Sequence, residues 1–274
     1  MRIPGVASRV RRLALQIETA LSECGPMAPL LATLATILAP ALAPLKGGAS
    51  PVLILPHGQL RAVPWDLVPV DGVPLGSTRD VAEGLSLGLL RRSTGASTGS
   101  VTLVGPDLRS SDLAPLESSS AHLSRGATVA DLFVALKQGR TIIVAHSTST
   151  TLRMQDRTIE STELLEQTIP GGVVLLASCS PARSRGAPDP LDTLAPALLA
   201  CGAAAVLAST VPMAARESIQ FVADVERAMT PGTSILAAFS SVRRSTVDRE
   251  AGPASCCAFR VIIRDLSLLE HTAP

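Results

Sequence analysis

Short aliphatic runs alternate with stretches of helical period along most of this chain, and that alternation narrows the fold more than any other feature. The runs are PVLILP (51–56), VTLVGPD (101–107), TIIVAHS (141–147), GGVVLLASCS (171–180), AAAVLAST (203–210) and CCAFRVII (256–263). Each is short, bounded by Gly, Pro or polar turn residues, and too uniformly apolar for a strand with one wet face. They read as strands buried on both sides. Helices are expected between and before them, at 6–24, 27–39 (broken near Pro40), 127–139, 161–169 with Ser161 as its cap, 191–202, 217–230 and 233–246. In 127–139 the residues Val129, Leu132, Phe133 and Leu136 fall on one face. Strands alternating with helices predict an α/β chain whose mostly parallel sheet is covered by helices on both faces.

Hydrophobic residues make up 46% of the 274 and charged residues only 17%, so a large core is within reach. Aromatics are 2%, and the core must therefore be aliphatic. The 24 basic and 23 acidic residues nearly cancel, with no basic stripe, which argues against a nucleic-acid partner. The stretch 26–45 is about long enough to span a bilayer, but four prolines fragment it, and a core-packed helix is the expectation rather than a membrane span. Five cysteines, an odd number without a C-x-x-C pair, give no disulfide framework and suggest a reducing, cytoplasmic setting.

Two strand ends carry chemistry. TIIVA runs into His146 and GGVVLLAS into Cys179, 33 positions later, with one predicted helix between them. If the two strands are parallel neighbours, their carboxyl ends share one sheet edge, where open α/β sheets place their sites. An imidazole beside a thiol gives a nucleophilic thiolate, and the backbone N–H groups of Ser147 and Cys179 are candidates to hold an oxyanion. On the residues alone the alternative stays open: a cysteine ending an apolar strand is often a small core residue. Asp189 and Asp192 follow the cysteine and are candidates to line a substrate pocket for a basic side chain, or to form a polar loop with Asp192 capping a helix. Asp156 is a candidate to orient the imidazole or the substrate, or a solvated turn residue. His57-Gly58 is a second candidate base, but its strand context favours His146. Cys201 reads as helix-end packing, and Cys256 and Cys257 as strand residues, with 256–263 an exposed edge open to pairing. No metal-ligand spacing, nucleotide loop or G-x-S-x-G elbow occurs.

The segments VAHSTST, GGVVLLASCSP, LLACGAAAVLASTVPM and GPASCCAFRVII, with PVLILPHGQLRAVPWDLVPVDGVPL upstream, resemble successive blocks of CHAT domains, caspase-like cysteine peptidase modules of the caspase, gingipain and separase group. The resemblance covers roughly 50–263. It implies a caspase-like three-layer fold over a single domain, 1–274, with an N-terminal helical segment (1–48), an N-terminal subdomain (51–105) and a catalytic half (127–263). It also implies Cys179 as nucleophile and His146 as base, no cofactor, and a protein or peptide substrate such as a pore-forming or effector protein of a bacterial defence or cell-death system. Two departures motivate the alternative of a catalytically silent binding module: Ser147 stands where the family has Gly, and the tryptophan that commonly follows the next strand is absent from VPMAARES.

Overall fold

The computed structural model describes residues 6–23, 25–92, 99–117, 122–177, 193–247 and 258–270. Its strands are β1 (Val52–Ile54), β2 (Pro69–Val70), β3 (Val73–Pro74), β4 (Val81–Glu83), β5 (Ser100–Val104), β6 (His122–Arg125), β7 (Arg140–Val144), β8 (Thr151–Arg153), β9 (Thr158–Glu160), β10 (Val173–Ala177), β11 (Ala205–Ser209) and β12 (Phe259–Ile263). The helices are α1 (Val6–Ser22), α2 (Ala28–Leu42), α3 (Leu75–Thr78), α4 (Ser110–Glu117), α5 (Val129–Ala135), α6 (Ser161–Leu164), α7 (Leu194–Cys201), α8 (Ala215–Ala228) and α9 (Ile235–Val247).

Eight strands form one sheet in the order β1-β4-β12-β11-β10-β7-β5-β6. From β11 to β6 all neighbours are parallel, as the buried aliphatic runs require. β12 runs antiparallel to β11, and β4 and β1 follow the direction of β12. The mostly parallel α/β sheet expected from the alternation is thus present, with one reversal inside it. Successive residues face opposite layers. Leu175, Leu207 and Val261 join the core under α8 and α9. Val174, Leu176, Val206 and Ala208 join the core under α5 and α7. Three of the chain's four phenylalanines meet in the first of these: Phe221 stacks on Phe259 at 4.6 Å between centroids and meets Phe239 edge-on at 6.0 Å. A third core forms where α1 and α2 cover Val63, Trp65, Val68 and Leu75. The buried Asp66–Arg243 ion pair ties that layer to α9.

Three expectations are corrected. The final strand is no edge: β12 lies between β4 and β11, and the sheet ends on β1 and β6. The helix over 161–169 shrinks to α6, because the amides of Leu165 and Gln167 turn back to the carbonyls of Thr162 and Leu164, three residues away, and tighten the chain. Its cap is Glu160, in a reciprocal pair with Glu163, and Ser161 is its first helical residue. Finally, α2 does not break near Pro40; it continues to Leu42 and then tightens over Ala43–Leu45. Pro40 and Thr36, the residue whose carbonyl it deprives of a partner, both lie on the exposed side, so that carbonyl is not shut away in the core. The stretch Ala28–Leu45 is long and apolar enough to cross a membrane by length and composition, the one such stretch among the described residues. Its Leu31, Leu34 and Leu42 face the third core.

One glycine is required by the fold. Gly202 ends α7 at φ +123°, and a Cβ there would collide with the carbonyl oxygen of Ile169. Gly202→Ala should therefore lose about 2 kcal/mol or more in urea unfolding. A loss under about 0.5 kcal/mol would show that the contact is easily relaxed.

Candidate active site

The ladder between β7 and β10 pairs Ile143 with Leu176 and Val144 with Ala177. Both strands point the same way, so the residues that follow them leave from one edge of the sheet. His146 lies two residues beyond Val144 and is exposed. Cys179 lies two residues beyond Ala177 in sequence, and with Asp189 and Asp192 falls in 178–192, outside the described residues. Cys24, Cys256 and Cys257 are outside them as well.

The backbone around His146 is fixed by a small hairpin that the sequence reading missed. β8 and β9 pair antiparallel, with Leu152 opposite Ile159 and both buried. Each arm offers only one apolar residue in three, too little to stand out as an alternating run. The hairpin holds the histidine loop by two hydrogen bonds. Arg153 N–H donates to the carbonyl of His146 at 2.9 Å and Thr148 N–H to that of Thr151 at 3.0 Å, and together they make the bridge between Ser147 and Leu152. The Thr148 hydroxyl accepts from the amides of Thr150 and Thr151 at 3.2 and 3.0 Å. Leu194, the first residue of α7, donates its N–H to the carbonyl of Ser149 at 2.9 Å.

On the other flank, β5 pairs with β7, Val104 opposite Val144. Gly105 then passes so close to the histidine loop that a Cβ would sit 2.8 Å from the Arg153 carbonyl oxygen. Asp107 follows at φ +65°, an uncommon conformation for a residue other than glycine. Its carboxylate is 3.5 Å from the guanidinium of Arg153. Both side chains are solvated, so the pair adds little stability. Asp107 was not singled out in the sequence; only the Gly-Pro-Asp turn hinted at it.

Ser147 is not among the described non-glycine residues with positive φ, which are Asp71 and Asp107. Serine in place of glycine therefore costs no left-handed strain here. Asp156 accepts the N–H of Val129 at 2.9 Å and so serves the first turn of α5, beside the reciprocal Thr128–Asp131 cap. His57 is exposed and follows β1, which runs opposite to β7 and β10. It thus leaves the sheet from the other edge. Among the described residues no group of three or more His, Cys, Asp and Glu could hold a metal ion.

Cys201 shows what a structural thiol looks like in this fold. It is buried at the end of α7, donates to the Leu164 carbonyl at 2.7 Å, and burial pushes its pKa up to about 11. A thiol so held stays protonated and unreactive.

No family model and no curated protein matches the sequence. Solved structures do. The chain superposes on the Arg-specific cysteine proteinase gingipain R (RgpB) with TM-score 0.59 at 10% identity, covering 90% of this chain and 73% of that one. The complex of Porphyromonas gingivalis RgpB pro- and mature domains gives 0.60 at 11%, covering 97% and 78%. The separase of the Saccharomyces cerevisiae separase–securin complex gives 0.55 at 14%, covering 75% of this chain and 15% of that one. The fold is caspase-like. In this caspase-like sheet β10, which leads to Cys179, and β7, which leads to His146, are central neighbours, and α7 takes the chain back from the cysteine segment into β11.

Proposed function

We propose that the chain is a cysteine endopeptidase of the CHAT type that cuts a partner protein, with Cys179 as nucleophile and His146 as general base and acid. The observation that carries this reading is the β7–β10 register, which starts the two residues' segments side by side on one edge of a caspase-like sheet. His146 takes the thiol proton, and Cys179 Sγ attacks the scissile carbonyl carbon. Backbone N–H groups at Ser147 and Cys179 hold the resulting oxyanion. As the intermediate collapses the C–N bond breaks, and His146 gives its proton to the leaving amine. A water, deprotonated by His146, then attacks the thioester; the C–S bond breaks and the acid product leaves. The dyad needs no cofactor. A basic P1 side chain facing Asp189 or Asp192, and a pore-forming or effector substrate in bacterial defence, extend the same proposal.

The test is labelling by peptide acyloxymethyl ketones differing at P1, read by peptide mass spectrometry. Label is expected on Cys179 and on no other cysteine, and it should vanish in His146→Ala. Label spread over several cysteines, or unaffected by His146→Ala, would favour a silent binding module, the reading that the missing tryptophan after β11 suggests.

A further inference from the structure

Ala14 and Ile17 of α1 and Leu31, Leu34 and Leu42 of α2 all face the third core. The two helices therefore lie in one layer and turn their opposite faces outward together. On α2 and its continuation, Ala28–Leu45, no residue is charged, yet only 17% of that stretch is buried. A helix apolar on every side is ordinarily buried, and contiguous apolar surface left in water marks an interaction site. Its exposed residues include Ala28, Ala32, Thr36, Ala39 and Pro40. They are small, which suits close approach of another helix and offers little to insert into a bilayer. Beside them α1 is charged, and its charges are ordered. Arg12, Gln16, Thr19 and Glu23 are exposed and follow at spacings of four, three and four residues, as along the seam of two packed helices. Glu23 N–H donates to the Thr19 carbonyl at 3.0 Å, which keeps it on the helical path past Ser22. With Leu15 and Ala20 these four residues line a shallow groove of about 390 Å³, and Leu15 is 45% exposed. Among the described residues neither Arg12 nor Glu23 joins an ion pair.

We infer that this face pairs with a second copy of the chain, α1 meeting α1 and α2 meeting α2 about a two-fold axis level with residues 17 and 18. The inference makes no use of the Cys–His reading. The order of residues along α1 carries it. With the second helix antiparallel across that axis, Arg12 stands opposite the partner's Glu23, and Glu23 opposite the partner's Arg12. Gln16 stands opposite the partner's Thr19, two groups able to exchange a hydrogen bond. The two Leu15 side chains share one flank, and the α2 helices meet without a charge on either. A parallel copy would instead set Arg12 on Arg12 and Glu23 on Glu23. A self-complementary patch of this kind is what a two-fold interface requires. Its size sets the strength. Helices of 17 and 15 residues packed about 10 Å apart give a face of about 25 by about 20 Å. That is about 500 Å² before its relief is counted, short of the standard of about 800 Å² per partner. The dimer is accordingly one of micromolar strength.

Charge reversal gives a test that misfolding cannot imitate. Arg12→Glu leaves glutamates facing each other at both ends of the α1 seam, and Glu23→Arg leaves arginines there. Each variant alone should self-associate about tenfold or more less tightly in sedimentation velocity of the full chain. An equimolar mixture of the two restores both opposite-charge pairs and should associate as tightly as the unmodified protein. Ala32→Glu, which sets a charge on the α2 face, should weaken self-association as well. An unmodified chain that stays monomeric at about 300 μM, far above a micromolar Kd, would overturn the pairing. So would a mixture of the reversed variants that associates no better than either alone, or an Ala32→Glu chain that associates normally. A monomer that floats with vesicles of phosphatidylcholine and phosphatidylserine would give the face to a membrane and overturn the pairing too.

Discussion

His146→Ala is expected to lower kcat/KM for peptide cleavage by about a thousandfold or more, while the unfolding free energy stays within about 0.5 kcal/mol. The two halves of this expectation have separate causes. His146 is exposed, and the hairpin holds it through its backbone carbonyl, which alanine retains. Little packing is lost when the imidazole goes. What is lost is the proton acceptor for Cys179 and for the hydrolytic water, and the donor for the leaving amine, the steps of the proposed reaction that need a titrating group. Cys179→Ala should fall as far, and the double variant no further, because members of a catalytic unit act together. His57→Ala should leave the rate unchanged, since His57 leaves the sheet from the opposite edge. A His146→Ala protein within about tenfold of the original rate would remove the dyad.

The same edge shows what can be read from residues alone. The paired strands β7 and β10 were legible because burial on both faces makes a parallel strand a continuous aliphatic run, and because each run ends on a residue with chemistry. The direction and place of β12 were not. FRVII carries an arginine in its second position, and a charge inside a strand reads as an edge residue until its partner is known. That partner, Glu83, comes from VAE more than 170 residues earlier, too far for any local pattern. The hairpin over Thr151–Glu160 escaped for a related reason. Its specificity lies in backbone bonds and in the threonine hydroxyls, which leave almost no hydrophobic period. The Leu194–Ser149 bond is invisible by nature, because it uses no side chain.

Arg260 and Glu83 supply the second large effect. Arg260 Nε stands 3.3 Å from a Glu83 carboxylate oxygen on neighbouring strands, and both side chains are buried. They line a cavity of about 30 Å³ with Pro56, Arg61, Thr193 and Thr210, large enough for water. Burial raises the Glu83 pKa from 4.5 to about 7, against the opposing pull of Arg260 and Arg61. A folded value above the unfolded one means that the folded state holds the proton more tightly. The resulting stability is fully present below about pH 4.5 and is lost as pH rises to about 7, beyond which Glu83 is ionised in both states. Arg260→Met should therefore be mild at pH 5.5, where Glu83 is mostly neutral. At pH 8.5 it should lose up to about 2 kcal/mol more in urea unfolding, because Glu83, left beside Arg61, must then either stay ionised or take up a proton about 1.5 pH units above its folded pKa of about 7, at about 1.4 kcal/mol per unit. Adding Glu83→Leu to Arg260→Met should recover most of that loss, since an apolar pair of similar volume carries no desolvation cost. A loss equal at both pH values, or one that Glu83→Leu does not relieve, would mean that Arg260 stabilises β12 by packing and not by holding the charge of Glu83.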